Sequence, residues 1–322
     1  MNPPMVTFTT PTTNPPVDAV RRYELLDLVG EGRNGEVYKA VDLKLTRLFA
    51  IKIIPFHNKE SGFPSDVMRK IALMAELEHN NVIRIHTVER LPGYSYGCRL
   101  VMEYGESNLS RYIVEHAKRG IPPEKAKLFL LQILQGLKHC HSRKVMHRNL
   151  RPANILLTAN EVIKLSGFGS SDAFDVPNLQ NNHNVGILRY RAPEMLLALP
   201  YTNLVDIWAV GCVFAELVAS KPLFDGTSNP AVMMSIGSIF GVPTPADLKG
   251  ASSYFDNKLG LYEPKNVEPR ISLARLVPNL SRKGLDLLQK MLCINPCRRI
   301  TAANALRHPF FKDLHAERAR TP

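Results

Sequence analysis

Two stretches of this sequence, Ala126–Cys140 and Leu204–Ala219, are apolar on nearly every side of a helical wheel. Leu128, Phe129, Leu130, Leu131, Ile133, Leu134 and Leu137 leave the first without a water-facing stripe. A helix of that kind is stable only when other elements surround it. The fold must therefore be large enough to bury two helices. With 322 residues and 45% hydrophobic side chains, the chain has material for one large core or two smaller ones. Neither stretch reads as a membrane span. Leu204–Ala219 carries Asp206 and Glu216, and no window reaches about 18 uninterrupted apolar residues.

The region ahead of these helices has a different grain. Leu25–Val29, Val37–Val41 and Leu48–Ile54 are short apolar or β-branched runs broken by Gly30, Gly32, Gly35 and Pro55, which predicts strands. Pro64-Ser65-Asp66 is a helix start, and Val67, Ile71, Met74 and Leu77 follow at helical spacing up to Glu78. Val82–Val88 and Arg99–Tyr104 predict two further strands. The pattern is a small sheet with one helix, then a helical region from Leu109 onward, joined near residues 103–108. Residues 1–20 are rich in proline and threonine and poor in charge and large aliphatics, which predicts a flexible tail.

Charge and cysteine narrow the function classes. The net charge is +12, but the Lys and Arg residues are scattered in runs no longer than Arg21-Arg22 and Arg298-Arg299, with no basic stripe interleaved with aromatics. This predicts a basic surface and no nucleic-acid partner. Five cysteines, none in a CxxC pair, predict a reduced intracellular chain with no structural metal. The first twenty residues lack a charged n-region and an apolar h-region, so no secretory signal is expected, and the expected location is cytoplasm, nucleus or both.

Gly30-Glu31-Gly32-Arg33-Asn34-Gly35 matches G-x-G-x-x-G. It lies between two predicted strands, which argues against a dinucleotide-binding unit. Downstream, Phe49-Ala50-Ile51-Lys52 sets a lysine in an apolar strand, where an ammonium group is costly unless an anion meets it. A glycine hairpin followed by a strand lysine resembles the phosphate grip of protein kinases. Four more segments extend the resemblance in the family's order: His147-Arg148-Asn149-Leu150-Arg151-Pro152-Ala153-Asn154, Lys164-Leu165-Ser166-Gly167-Phe168-Gly169, Arg191-Ala192-Pro193-Glu194 and Asp206-Ile207-Trp208-Ala209-Val210-Gly211. Arg299 stands where the family pairs an arginine with that Glu194. Residues 62–70, Pro222-Leu223-Phe224 and Phe240-Gly241-Val242-Pro243 resemble the cyclin-dependent kinases. The resemblance spans about residues 21–312. It implies an α+β, bilobal protein-kinase fold: a small β-rich N-lobe (21–104), a larger helical C-lobe (105–312) and a C-terminal tail (313–322).

At the positions where the resemblance implies carboxylates, the residues differ. Asn149 occupies the place of the base that orients the substrate hydroxyl, a role typically worth about 10²–10⁴ in rate, and an amide cannot accept that proton. Gly167 occupies the place of the metal-holding aspartate, leaving Asn154 as a neutral ligand, so Mg²⁺ is not expected and no metal site is assigned. Lys70 occupies the place of the helix glutamate that pairs with Lys52. Two ammonium groups at about 4 Å repel by about 4 kcal/mol at an effective dielectric near 20, so the helix is expected to swing outward or Lys70 to turn to solvent. Arg151 replaces the loop lysine, keeping charge but not shape. Asp172, Asp175 and Glu161 are the carboxylates nearest in sequence that would have to substitute.

Regulatory positions also depart from the resembled subfamily. Arg33-Asn34 stand in place of the inhibitory Thr-Tyr, Asn182 in place of the activating threonine, and Ile187 and Arg189 in place of Thr and Trp. Arg69 and Arg148 remain where the family holds the activating phosphate. Asp172 replaces the third arginine of that pocket and is expected to pair with Arg148. The resemblance implies a stacked apolar spine of Met74, Ile85, Phe168 and His147 tied to Asp206. It also implies a nucleotide slot of Val29, Gly30, Glu31, Gly32, Gly35, Val37, Ala50, Lys52, Met102, Glu103, Gly105 and Leu156, which leaves ATP as a ligand. His79 and His86 are expected to be surface or packing residues. Two readings follow. One is a binding or regulatory pseudokinase, similar to cyclin-dependent kinases, with a cyclin-type partner on the Pro64–Glu78 helix or an active relative or its substrates as partners. The other is an active proline-directed Ser/Thr kinase that transfers the ATP γ-phosphate from an atypical site.

Overall fold

β-Branched and apolar runs separated by glycine and proline form strands because each run buries alternate side chains while its ends turn away. In the computed structural model, which describes residues 22–32, 35–55, 65–91, 97–173, 186–241 and 271–314, the predicted runs are strands. They are β1 (Tyr23–Gly32), β2 (Gly35–Asp42), β3 (Arg47–Pro55), β4 (Ile85–Arg90) and β5 (Gly97–Glu103). They form one sheet in the order β1-β2-β3-β5-β4, with β1/β2 and β2/β3 antiparallel. Tyr23, Ala40, Phe49, Ile51 and Val101 make its core, with Tyr23 edge-on to Phe49 at 6.0 Å. The tail 1–20, Arg33-Asn34, Pro64, Asp175, Asn182 and Val242-Pro243 lie outside the described residues, as do the last residues of 313–322.

By internal contacts the chain groups into two compact units, residues 1–63 with 86–102 and residues 64–85 with 103–322. The larger unit holds the helices. They are α1 (Ser65–Ala75), α2 (Leu109–His116), α3 (Pro123–Ser142), α4 (Pro193–Leu196), α5 (Leu204–Ala219), α6 (Asn229–Phe240), α7 (Leu273–Leu276), α8 (Arg282–Met291) and α9 (Ala302–Leu306). Short strands β6 (Ser107–Asn108), β8 (Ile155–Leu157) and β9 (Ile163–Leu165) form one small sheet. β7 (Val145–Met146) and β10 (Asp172–Ala173) form another. The two apolar stretches, α3 and α5, pack on each other, with α8 on α5 and α9 on α3. Trp208 on α5 is fully buried, stacked on Phe224 at 5.6 Å.

Strand and helix ends differ from expectation by a few residues, and two of the shifts have a clear physical cause. Helix α1 stops at Ala75 rather than Glu78, because buried Leu77 already turns inward, its amide bonded to Met74 O at 3.1 Å. Glu78 then pairs with Arg84 at 3.0 Å. The strand expected from Val82 starts at Ile85. Residues 81–83 instead bond across to Leu165, through Leu165 N–H to Asn81 O and Ile83 N–H to Leu165 O, both 2.9 Å.

Candidate functional site

In the smaller unit, the glycine hairpin closes with Gly32 opposite Gly35. Gly35 has φ +122°, and a Cβ there would lie 1.9 Å from Ile53 O, so no other residue fits. Cross-strand pairing sets Gly30 opposite Val37 and Val37 opposite Lys52. Directly opposed residues share a sheet face, and Ala50, two residues from Lys52, shares it too. Val37 and Lys52 are half-buried and Ala50 is buried, while Val29 is exposed. Burial pushes the Cys98 thiol pKa up, an effect the Lys52 charge partly offsets, which places Lys52 near the buried Cys98. Met102 is buried.

The remaining slot residues lie in the larger unit. A Cβ on Gly105 would meet Leu156 Cβ at 2.8 Å, so the Gly105 backbone lies directly on Leu156. Glu103 donates its N–H to Arg84 O at 3.0 Å, and its carboxylate accepts from Lys164 Nζ at 2.8 and 3.0 Å and from Arg84 N–H at 3.0 Å.

The loop after β7 is pinned from behind by α5. Asp206, at the start of that helix, accepts from His147 N–H at 2.9 Å and Arg148 N–H at 2.8 Å, and bonds His141 Nε2 at 2.9 Å. Burial alone would raise its pKa, but these partners hold it below the ordinary carboxylate value. His147 is fully buried, and burial lowers its pKa, so the ring is neutral near pH 7. Its Nδ1 accepts from Asn149 N–H at 3.2 Å, so Nε2 carries the proton and donates to Ser166 O at 2.7 Å. The His147 ring lies 4.4 Å from the buried Phe168 ring. His147, Phe168 and Asp206 are thus together, and α1 packs against the 3₁₀ turn Phe168–Ser170.

Asn149 and Gly167 face each other through Asn154. Asn154 Nδ2 donates to Asn149 O at 2.7 Å. Gly167 has φ +81°, and a Cβ there would lie 2.6–2.9 Å from the Asn154 amide group. The Asn154 side chain therefore fills the space that a side chain at position 167 would enter. Among the described residues, no cluster of three or more His, Cys, Asp or Glu is placed to hold a metal ion. Arg151 is half-buried, with its Nε enclosed and unpartnered among the described residues, as is Arg191 Nε. Arg191 also donates to the carbonyl of Gly186 at 3.0 Å.

Arg148 adopts φ +60°, a left-handed conformation that costs a non-glycine residue about 1–2 kcal/mol. Its guanidinium is fixed by Ser170 O at 2.7 Å, Tyr201 OH at 3.2 Å and Asp172 at 3.2 Å. The pairing of β10 with β7, Asp172 opposite Met146, carries Asp172 to this spot. Arg69 on α1 reaches the same carboxylate at 3.4 Å. Asp172 thus bridges both arginines, and the expected Arg148–Asp172 pair is present. Lys70, beside Arg69, is half-buried rather than turned fully to water, because α1 packs against β10 and the Phe168–Ser170 turn and its long stem can cover apolar surface.

Below the loop, Arg299 forks onto Glu194 at 2.6 and 3.0 Å, with the two side chains 0% and 2% exposed, as their positions in the sequence implied. His79 stacks on His139 at 5.1 Å and His86 sits edge-on to Phe49 at 5.1 Å, both in packing roles. Sequence reasoning did not pick out His141 or Tyr201. The only available signals were a histidine in the last turn of α3 and a tyrosine between two buried helices.

Residues 23–311 match the family description "Protein kinase domain". The chain belongs to the protein kinase family. The five-stranded sheet and the helical larger unit are that family's bilobal α+β fold. Protein kinase domains generally bind ATP and commonly engage regulators and substrates. No helix among the described residues is long and apolar enough to cross a membrane.

Proposed function

We propose that this kinase-family chain is a pseudokinase, similar to cyclin-dependent kinases, that acts by binding rather than by phosphoryl transfer. The observation that carries the reading is the Asn149–Asn154–Gly167 arrangement. An amide stands at the base position, and no side-chain oxygen projects from position 167. The group beside it, Asn154, turns its nitrogen onto the Asn149 carbonyl. Mg²⁺ takes hard oxygen donors, usually one or two carboxylates beside substrate phosphates, and these residues offer no carboxylate and do not fit it. Two of the carboxylates that would have to substitute are already engaged: Asp172 by Arg69 and Arg148, and Glu161 by Lys125.

The sequence keeps the residues that the family uses to hold nucleotide, including Gly30, Gly32, Gly35, Lys52 and Leu156, which supports ATP as a ligand held without the metal. Asp172 supplies a negative charge between Arg69 and Arg148, which supports an arginine pair neutralised without phosphorylation. The exposed Arg69 edge of α1 fits a cyclin-type regulator, and an active relative is the other class of partner. Free thiols throughout, with Cys98, Cys140 and Cys212 buried, support a reducing cytoplasmic or nuclear setting.

The deciding experiment incubates the purified chain with labelled ATP and Ser-Pro or Thr-Pro peptides, with and without Mg²⁺, beside a Lys52→Met control. We expect no transfer above the control, and a thermal shift with ATP that Mg²⁺ does not enlarge. Transfer that Lys52→Met abolishes overturns the reading.

A further inference from the structure

A cavity of about 870 Å³ opens in the larger unit, and none of the kinase-site residues lines it. His79, Asn80 and Asn81 form one wall, α3 presents Gln132, Gln135 and Lys138, and Val162, Ala303, Leu306 and Arg307 complete it. Two cations line it and no acidic residue does. Lys138 and Arg307 are exposed, and neither makes an ion pair with a described residue.

The neutral groups are also biased toward donation. Gln132 Oε1 accepts from Asn81 Nδ2 at 3.1 Å and from Ile163 N–H at 2.9 Å, which leaves Gln132 its amide hydrogens to offer. His79 Nδ1 accepts from Asn81 N–H at 2.9 Å, so its ring proton sits on Nε2. Burial lowers the His79 pKa, keeping that ring a neutral donor at pH 7. A wall of two unpaired cations and spare N–H groups is complementary to oxyanions.

We propose that this cavity binds an acidic peptide segment of a partner protein, with carboxylate or phosphorylated side chains on Lys138 and Arg307 and its backbone on the Gln132 and Gln135 amides. A single inorganic anion would leave most of the volume unfilled. A nucleic-acid strand needs stacking surfaces and a longer track of cations, and no Phe, Tyr or Trp lines the cavity.

Fluorescence anisotropy on the full chain tests this with four labelled probes: a glutamate-rich decapeptide, its phosphoserine counterpart, its glutamine counterpart and a single-stranded oligonucleotide. We expect one or both acidic peptides to bind at least about tenfold tighter than the glutamine peptide, and the stronger of the two names the source of the charge. Lys138→Ala with Arg307→Ala should lose that affinity about tenfold or more. Lys118→Ala with Arg119→Ala removes the same charge from another exposed site and should lose less than about twofold. Should the first pair fail to fold, Lys138→Gln with Arg307→Gln keeps the side-chain length and carries the same expectation. No preference for acid, a tighter oligonucleotide, or equal losses in the two double variants overturns the proposal. These outcomes do not depend on whether the chain transfers phosphate.

Discussion

The loop 147–154 has two sides with different chemistry. Behind it, Asp206 holds two backbone amides and a histidine, and Arg299 forks onto Glu194 below. In front of it, Asn149, Asn154 and Gly167 offer one amide-to-carbonyl bond and no acid. The side that shapes the loop is charged, buried and fully bonded, whereas the side that would do chemistry is neutral. In an active kinase the two sides depend on each other, because the anchors position the acids. Under the proposed function the anchors remain without that task, and their role is the fold itself. Architecture and reactivity are separable in this unit, and each side can be tested alone.

The anchoring side should give the largest effects. Arg299→Ala strands the Glu194 carboxylate in a dry site, and breaking a buried pair this way costs about 3–5 kcal/mol. Urea denaturation should show that loss, and a loss under about 1 kcal/mol would mean the pair is a bystander. Asp206→Asn keeps one acceptor oxygen but turns an NH₂ toward N–H donors that need an acceptor. The expected loss is about 2–3 kcal/mol, within the range for stranding buried partners of a charged group. Were Asp206→Asn harmless, the loop would be held from elsewhere.

The same side makes a pH prediction. Burial lowers the pKa values of His147, His79 and His139, so the folded chain binds fewer protons than the unfolded one just below the unfolded histidine value of about 6.5. Stability should be full above about pH 6.5 and decline as pH falls toward the lowered folded values. Asp206 acts in a lower window. Its folded pKa is depressed, so its contribution is present above the unfolded value of about 3.9 and disappears as pH falls through the folded one. Urea midpoints at pH 7.5, 6.5 and 5.5 test the histidine window, and midpoints that do not fall would contradict it.

Between the two sides lies Asp172. Asp172→Ala removes the carboxylate shared by Arg69 and Arg148, of which only Arg148 is well buried. We expect a loss of about 1 kcal/mol, the upper end for partly solvated pairs. A much larger loss would show that the bridge, rather than Asp206, holds the loop.

What could be read beforehand followed the same division. Helix α5 has the bounds Leu204–Ala219 expected for it, because an all-round apolar run leaves little freedom about where burial begins and ends. The Arg148–Asp172 and Arg299–Glu194 pairs were legible because charges at family positions imply partners. The end of α1 and the start of β4 were not, since the first is set by the inward turn of buried Leu77 and the second by backbone bonds of Asn81 and Ile83 to Leu165, a segment far away in the chain. The fold of Asn154 toward Asn149 was equally hidden, because a missing side chain at 167 says nothing of what fills the space. The basic cavity was invisible for a similar reason, its wall being assembled from four separate segments.

The reacting side should give the smallest effect of all, and that is its diagnostic value. Asn149→Asp with Gly167→Asp returns two carboxylates to the loop. The Asn154 amide must move, since a Cβ at 167 would lie 2.6 Å from it, but a terminal amide swings at little cost. Aspartate also tolerates the left-handed backbone at 167 better than most residues. The pair should therefore fold and still transfer almost nothing, because position 70 still carries a lysine where the kinase family carries the helix glutamate its chemistry requires. Adding Lys70→Glu should then raise the rate of transfer to a Ser-Pro peptide by about tenfold or more over the double variant. If the double variant alone works at ordinary kinase rates, about 1–100 per second, then position 70 is irrelevant and the loss was confined to the loop. If the triple variant stays silent while binding ATP and Mg²⁺, the anchored loop is itself shaped for something other than transfer.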